Sequence, residues 1–164
     1  MGQPYIAESP SQMPTRHDLL SRSGLEFMQA VAAGELSGPP IAGLLNYRLH
    51  LVEKGRVAFR GTAQFAHTNP MGGVHGGWYG TLLDSCMACA VMTLVPRGQY
   101  YTTLEYRINI ARALPLGIEV EALGEVQHAG RSTGIARGEL RGVADGRLYA
   151  TGSTTCLIMG DAAG

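Results

Sequence analysis

Lysine is almost missing from this 164-residue chain: Lys54 stands alone among 13 basic residues, against 13 acidic ones. The formal net charge is zero and the arginines are scattered, with no basic block. That excludes a general nucleic-acid binder held by electrostatics. Charged residues are scarce at 16% while apolar ones reach 45%, which excludes a disordered chain and leaves material for a core. Cysteine is scarce and odd in number: Cys86, Cys89 and Cys156. A small secreted domain is normally stapled by an even set, so a reducing, cytoplasmic setting is expected. Cys86 and Cys89 form a C-x-x-C, but it lies in an apolar helical run with no second pair and no histidine ligands. It reads as two core thiols, and no metal is expected.

Signals for export and anchoring are absent too. The first 14 residues are polar and rich in proline, with no charged start leading into an apolar stretch, so no signal peptide is expected. The Met-Gly start is followed by Ile6 where a myristoylation pattern needs Ser or Thr. The longest apolar run, residues 78–95, contains Asp84, Thr81, Ser85 and Thr93 and lacks flanking anchor charges. A buried helix explains it better than a membrane span, and no membrane partner is expected.

The length fits one domain. A disordered or extended segment is expected over 1–16. A single domain follows over 17–164, with a helix over about 18–36 capped by Asp18 and a core over 44–159. Leu45, Tyr47, Leu49 and Leu51 alternate with polar residues as one strand. Val57, Phe59, Ala63 and Phe65 make a second after the Lys54-Gly55 turn. A turn-rich loop, AHTNPMGGVHGG over 66–77, leads into the helix over 78–95. Four strands follow. The first alternates Thr102, Leu104, Tyr106, Ile108 and Ile110, the last runs over 147–159, and the tail 160–164 is expected to fray.

The long helix carries one charge in eighteen residues, so it must be covered on most sides. Six strands supply that cover only by curling around it, and the short connections among the last four make them antiparallel neighbours. The pattern therefore predicts an α+β protein with a curved antiparallel sheet wrapped around a long central helix, the hot-dog arrangement, and an extra N-terminal helix.

Asp84 is the anomaly in that plan. A carboxylate on a buried apolar helix is costly unless it is paired or serves a site. One reading is a satisfied Asp bonded to Ser85 or a backbone amide. The other is a general base whose pKa burial has raised. Asp84 is the only acid between Arg60 and Glu105. The glycine-rich loop before the helix brings free N–H groups to a helix start, where developing negative charge can be stabilised. It matches neither a phosphate-binding P-loop nor a dinucleotide fingerprint. His75 alone reads as a cap or packing residue at least as well as a catalyst.

Taken together, Asn69, His75-Gly76-Gly77 and Leu83-Asp84 resemble the hot-dog acyl-CoA thioesterases. Asn69 precedes His75 by six residues and His75 precedes Asp84 by nine. The nearest branch is the phenylacetic-acid-degradation (PaaI-like) type within the 4-hydroxybenzoyl-CoA thioesterase superfamily. The likeness extends to the strand Thr103-Leu104-Glu105-Tyr106-Arg107, to Gly130-Arg131 and to the run from Asp145-Gly146-Arg147 to Gly152. It covers about residues 45–159. The resemblance implies that Asp84 is the nucleophile or activates water, that the Gly76 N–H polarises the thioester carbonyl, and that Asn69 orients thioester or water. His75 belongs to the same constellation, and Thr103 would lie beside the carboxylate. Many relatives use Glu at a nearby helix position, and none is present here.

Hydrolysis of a thioester needs an oxyanion donor and a placed carboxylate, and no cofactor. Coenzyme A would enter only as part of the substrate. Gly77, Trp78 and Arg131 are candidate substrate contacts, Arg131 for a phosphate with Arg97 and Arg137 behind it. Trp78, Tyr79, Met87 and Tyr106 are candidates for an acyl pocket suited to an aryl ring or medium chain. Gly76 and Asp84 stand roughly 12 Å apart along one helix, so one chain does not easily serve one thioester with both. A homodimer with shared sites, possibly a dimer of dimers, is expected. Two alternatives remain: a non-catalytic acyl-CoA-binding hot-dog protein, and a hydratase or dehydratase acting on acyl thioesters.

Overall fold

The computed structural model describes residues 4–160. Four helices are present there: α1 (Arg16–Leu20), α2 (Gly24–Ala32), α3 (Pro40–Leu44) and α4 (Gly76–Met92). The strands are β1 (Tyr47–Glu53), β2 (Arg56–Thr62), β3 (Gln99–Ile110), β4 (Glu119–Ala129), β5 (Thr133–Gly142) and β6 (Leu148–Gly160). They form one six-stranded sheet in the order β1-β2-β4-β5-β6-β3, every neighbouring pair antiparallel. The sheet curves around α4, whose Leu82, Leu83, Cys86, Met87 and Val91 are fully buried. This is the hot-dog fold expected from the pattern. Residues 161–164 of the expected frayed tail, and 1–3 of the N-terminal segment, lie outside the described residues.

The close fit of sheet to helix is made by leaving side chains out. Gly124 on β4 pairs with Gly138 on β5, and Gly138 pairs with Gly152 on β6, so three glycines form one row across three strands. A Cβ on Gly138 would lie 2.8 Å from Met87 Cγ, and one on Gly152 would lie 3.1 Å from Met87 Cε. On Gly124 it would fall onto the Cys86 carbonyl. The row is a trough in the concave face, and α4 lies in it with Met87 at the bottom.

α4 starts two residues before the expected boundary because His75 caps it: His75 Nδ1 accepts from the Gly77 N–H at 2.9 Å. It stops at Met92, short of Val95. Thr93 turns its hydroxyl back to the Ala90 carbonyl (2.6 Å) and accepts from the Gly55 N–H (2.7 Å).

The N-terminal part differs more. In place of one helix over 18–36 there are two, because two capping boxes compete for the same stretch. Thr15 with Asp18 opens α1 and Ser23 with Glu26 opens α2. Thr15, not Asp18, is the N-cap. The segment before them is pinned in place: the Ala7 N–H donates to the Gly38 carbonyl (3.0 Å) and the Ser37 hydroxyl to the Gln12 carbonyl (2.8 Å). Pro39 precedes and Pro40 starts α3, where proline suits the first helical position.

Two strand faces also depart from expectation. β1 begins at Tyr47 because Asn46 is left-handed (φ 52°), which breaks the run from Leu45. Phe65 does not continue the buried face of β2. The strand ends at Thr62, residues Phe65–His67 form a 3₁₀ turn, and Phe65 stands 84% exposed.

Candidate functional site

One side of α4 is not sealed by the sheet. Thr81, Asp84, Ser85 and Cys89 recur at spacings of three and four and keep some exposure, while their neighbours are buried. Asp84 is half-buried, and its Oδ1 accepts a hydrogen bond from Thr103 Oγ1 on β3 at 3.1 Å. Burial raises the Asp84 pKa above its ordinary 3.8, and the Thr103 hydroxyl pulls it partly back. Ser85, beside it, is bonded to the Tyr47 hydroxyl on β1 at 3.0 Å. The Ser85–Asp84 bond of one reading of the sequence is not formed, and Thr103 lies beside the carboxylate.

At the start of the helix, the Gly77 N–H is occupied by the His75 ring and the Trp78 N–H by the His75 carbonyl (3.0 Å). The Gly76 N–H, at the first helical position, has no partner among the described residues. Gly76 is thus the amide left to receive a ligand oxygen, while Gly77 is capped. With Nδ1 accepting, the His75 ring carries its proton on Nε2, which points away from the cap. Asn69 shapes the loop: its Oδ1 accepts from the Met71 (3.0 Å) and Gly73 (3.2 Å) N–H groups, so its carbonyl is spent on folding the approach to Gly76.

The other candidates fall in different places. Trp78 is built into the core, 2% exposed, with Nε1 donating to the Leu45 carbonyl (2.9 Å) and its ring stacked on His67. Tyr79 is buried with its hydroxyl accepting from the Leu114 N–H (2.8 Å), and Met87 fills the glycine trough. Neither lines the open side of α4. Tyr106 is 46% exposed on β3, with its ring against Gly80 of α4, where an added Cβ would lie 3.3 Å from it. Arg131 is exposed in the β4–β5 turn and forms no ion pair among the described residues. Arg97 and Arg137 are paired with Glu26 (3.5 Å) and Glu125 (3.1 Å). Arg131 adjoins the strand position where Gly134 meets Val91, near the C-terminal end of α4, while Gly76 is at the other end beside Ile110. Within one chain the two are not neighbours.

A cavity of about 700 Å³ lies next to Asp84, lined neither by Asp84 itself nor by any of the four residues expected to form an acyl pocket. Ser85, Cys89 and Thr103 line it from α4 and β3, and Tyr47 and Phe59 from β1 and β2. A sequence signal existed in the small and polar stripe Gly77, Thr81, Ser85, Cys89, four residues apart on an otherwise apolar helix. Burial pushes the Cys89 thiol up to about 12, so it stays protonated and unreactive there. Cys86 and Cys156 are likewise free thiols raised by burial.

Comparison with known proteins fits this geometry. The family model described as the thioesterase superfamily matches residues 71–150. No curated protein sequence matches. Among solved structures, a putative thioesterase from Ralstonia eutropha JMP134, phenylacetic acid degradation-related, is 28% identical with a TM-score of 0.71, covering 83% of this chain and 99% of that one. A mutant form of the phenylacetic acid degradation protein PaaI from Thermus thermophilus is 27% identical, TM-score 0.66, over 72% and 97%. A hypothetical thioesterase with coenzyme A from Streptococcus pneumoniae TIGR4 is 27% identical, TM-score 0.64, over 70% and 87%.

Proposed function

We propose that this chain, a hot-dog protein matched by the thioesterase superfamily model over residues 71–150, is a thioester hydrolase that cleaves acyl-CoA thioesters with an aryl or medium-chain acyl group, using Asp84 as general base. The observation that carries the reading is a half-buried carboxylate with a raised pKa, held by Thr103, a residue that also lines a largely apolar cavity. Coenzyme A beside the pneumococcal relative supports the carrier.

In this reading Asp84 takes a proton from a water, and the water oxygen attacks the thioester carbon. The carbonyl oxygen becomes an oxyanion held by the Gly76 N–H, strengthened by the positive end of α4. Collapse breaks the C–S bond, and the proton on Asp84 passes to the departing thiolate. One water is consumed, and a free acid and a thiol are released. His75 and Asn69 are positioning residues: the first leaves Gly76 as the free amide, the second folds the loop that presents it.

The two groups belong to different chains of a homodimer. β3 lies at the sheet edge, twelve residues long with its outer side unpaired, and carries Leu104, Tyr106 and Ile110 at 57%, 46% and 48% exposure. An edge of that length and character is a ready site for pairing with a second copy. A two-fold axis there sets the two α4 helices side by side in opposite directions. The Gly76 of one chain then approaches Asp84 of the other, and Arg131 approaches the phosphate end of the same substrate. No helix among the described residues is long and apolar enough to cross a membrane. The reduced cysteines fit a cytoplasmic setting.

The test is a panel of aryl- and alkyl-CoA thioesters with release of free thiol followed by a chromogenic disulfide. Thiol release well above the uncatalysed rate is expected. Tight acyl-CoA binding with no release would favour a non-catalytic acyl-CoA binder instead. Thioester loss without free thiol, by change in the acyl chain, would favour a hydratase or dehydratase.

A further inference from the structure

We infer that the acyl group is an aliphatic chain of medium or greater length rather than a single ring, and that the N-terminal segment before β1 forms the outer wall of its binding cavity. The inference rests on the thioesterase reading and narrows its substrate. The cavity is joined to the reacting groups by Thr103, which lines it and hydrogen-bonds to Asp84, and by Ser85 next in sequence. Its inner wall belongs to the hot-dog core, with Tyr47, Phe59 and Met92. Its outer wall is Leu19 from α1, Phe27 and Val31 from α2, and Ala42 from α3. None of these wall residues before β1 falls in the matched family segment, which begins at Met71.

That wall is fixed to the core. The Gly24 N–H donates to the Val95 carbonyl (2.9 Å) and the Gly98 N–H to the Leu20 carbonyl (3.0 Å). Gly24 sits so close to the Met92 carbonyl that a Cβ there would overlap it. The Arg16 guanidinium lies 5.2 Å from the centroid of the Tyr100 ring. The space enclosed is therefore a property of the folded chain.

Size and chemistry together select the occupant. A dry cavity of about 150 Å³ is enough to hold benzene. The present 700 Å³ would leave most of its volume unfilled around one ring, and falls in the range that buries a much larger ligand. The hydroxyls of Tyr47 and Ser85 satisfy each other, and no buried side-chain polar atom among the described residues lacks a partner. Leu19, Phe27, Val31, Ala42, Phe59 and Met92 present carbon to an occupant, with Arg16 and Arg48 also in the lining, and each methylene of an aliphatic chain gains about fourfold in binding when it leaves water.

The experiment compares butanoyl-, octanoyl-, dodecanoyl- and phenylacetyl-CoA as substrates of the wild-type protein, Val31→Phe and Ala42→Leu. Their binding to Asp84→Asn is measured in parallel by titration calorimetry. kcat/KM is expected to rise from butanoyl to dodecanoyl and to exceed the phenylacetyl value. Filling the far wall should lower the dodecanoyl-to-butanoyl ratio at least tenfold. Two variants on different helices guard against one failing to fold. A preference for phenylacetyl- or butanoyl-CoA, or an unchanged ratio in both folded variants, overturns the inference and leaves the hydrolase intact. If no thioester is cleaved, the hydrolase reading fails. The cavity assignment then stands only if Asp84→Asn binds dodecanoyl-CoA more tightly than butanoyl-CoA, and falls if the two bind equally.

Discussion

The Thr103 hydroxyl donates a hydrogen bond to Asp84 Oδ1, 3.1 Å away, across the gap between β3 and α4. This contact favours the ionised carboxylate and opposes the effect of burial. Thr103→Val removes it while keeping the shape. The acidic limb of the kcat/KM profile should then move to higher pH, with the plateau less affected than the rate at low pH. A variant limb that coincides with the wild-type one would show that Thr103 does not set the ionisation of Asp84.

Activity should disappear as pH falls through the Asp84 pKa, at a point above 3.8 because burial raises it. Asp84→Asn keeps the volume but cannot take a proton, and a loss of at least about 100-fold is expected. Residual activity within threefold of wild type would make Asp84 a structural residue.

The same variant should be the more stable protein at neutral pH. A carboxyl whose pKa is raised on folding binds more protons folded than unfolded, so its contribution to stability is complete at low pH and is lost as pH rises through the folded pKa. Asn is spared that loss. The melting temperature of Asp84→Asn should exceed that of the wild type at pH 7, and the difference should shrink on acidification. A difference that is constant with pH would contradict the burial of the charge.

Mixing Asn69→Ala with Asp84→Ala chains tests the shared site. In a mixed dimer with shared sites, one site is intact and the other carries both lesions, so about half of the wild-type activity per mixed dimer should return. With mixed dimers verified by mass, no recovery would place each site within one chain.

Chelation should leave the rate unchanged, since the proposed chemistry needs only a carboxylate and an amide. Inhibition by EDTA that added metal reverses would oppose it.

Much of this was legible in the residues. The apolar run around Asp84 announced a covered helix, and the alternation in 102–110 marked the strand that follows it. The glycine-rich loop marked the start of that helix, and the family resemblance singled out Gly76 within it. What stayed hidden depended on distant partners. Trp78 and Met87 are large and sit beside the motif, yet one is held by the Leu45 carbonyl and the other by a trough in the sheet. α1 and α3 have five residues each, too few for a period to show, and only their caps and prolines mark them. The cavity is enclosed by two parts of the chain that no local pattern connects.

The row Gly124, Gly138, Gly152 has a mechanical consequence. α4 cannot slide along its axis without lifting Met87 out of its notch, so the helix is indexed to the sheet at one point near its middle. Gly76 and Asp84 ride on that helix, and Thr103 rides on β3, bonded to the strand that carries Gly152. When two sheets join edge to edge, the separation between the amide of one chain and the carboxylate of the other is thus gauged by a methionine seated on bare backbone, less than one helical turn from Asp84. A methyl group added to the row would displace the two halves of the reaction centre together while touching neither.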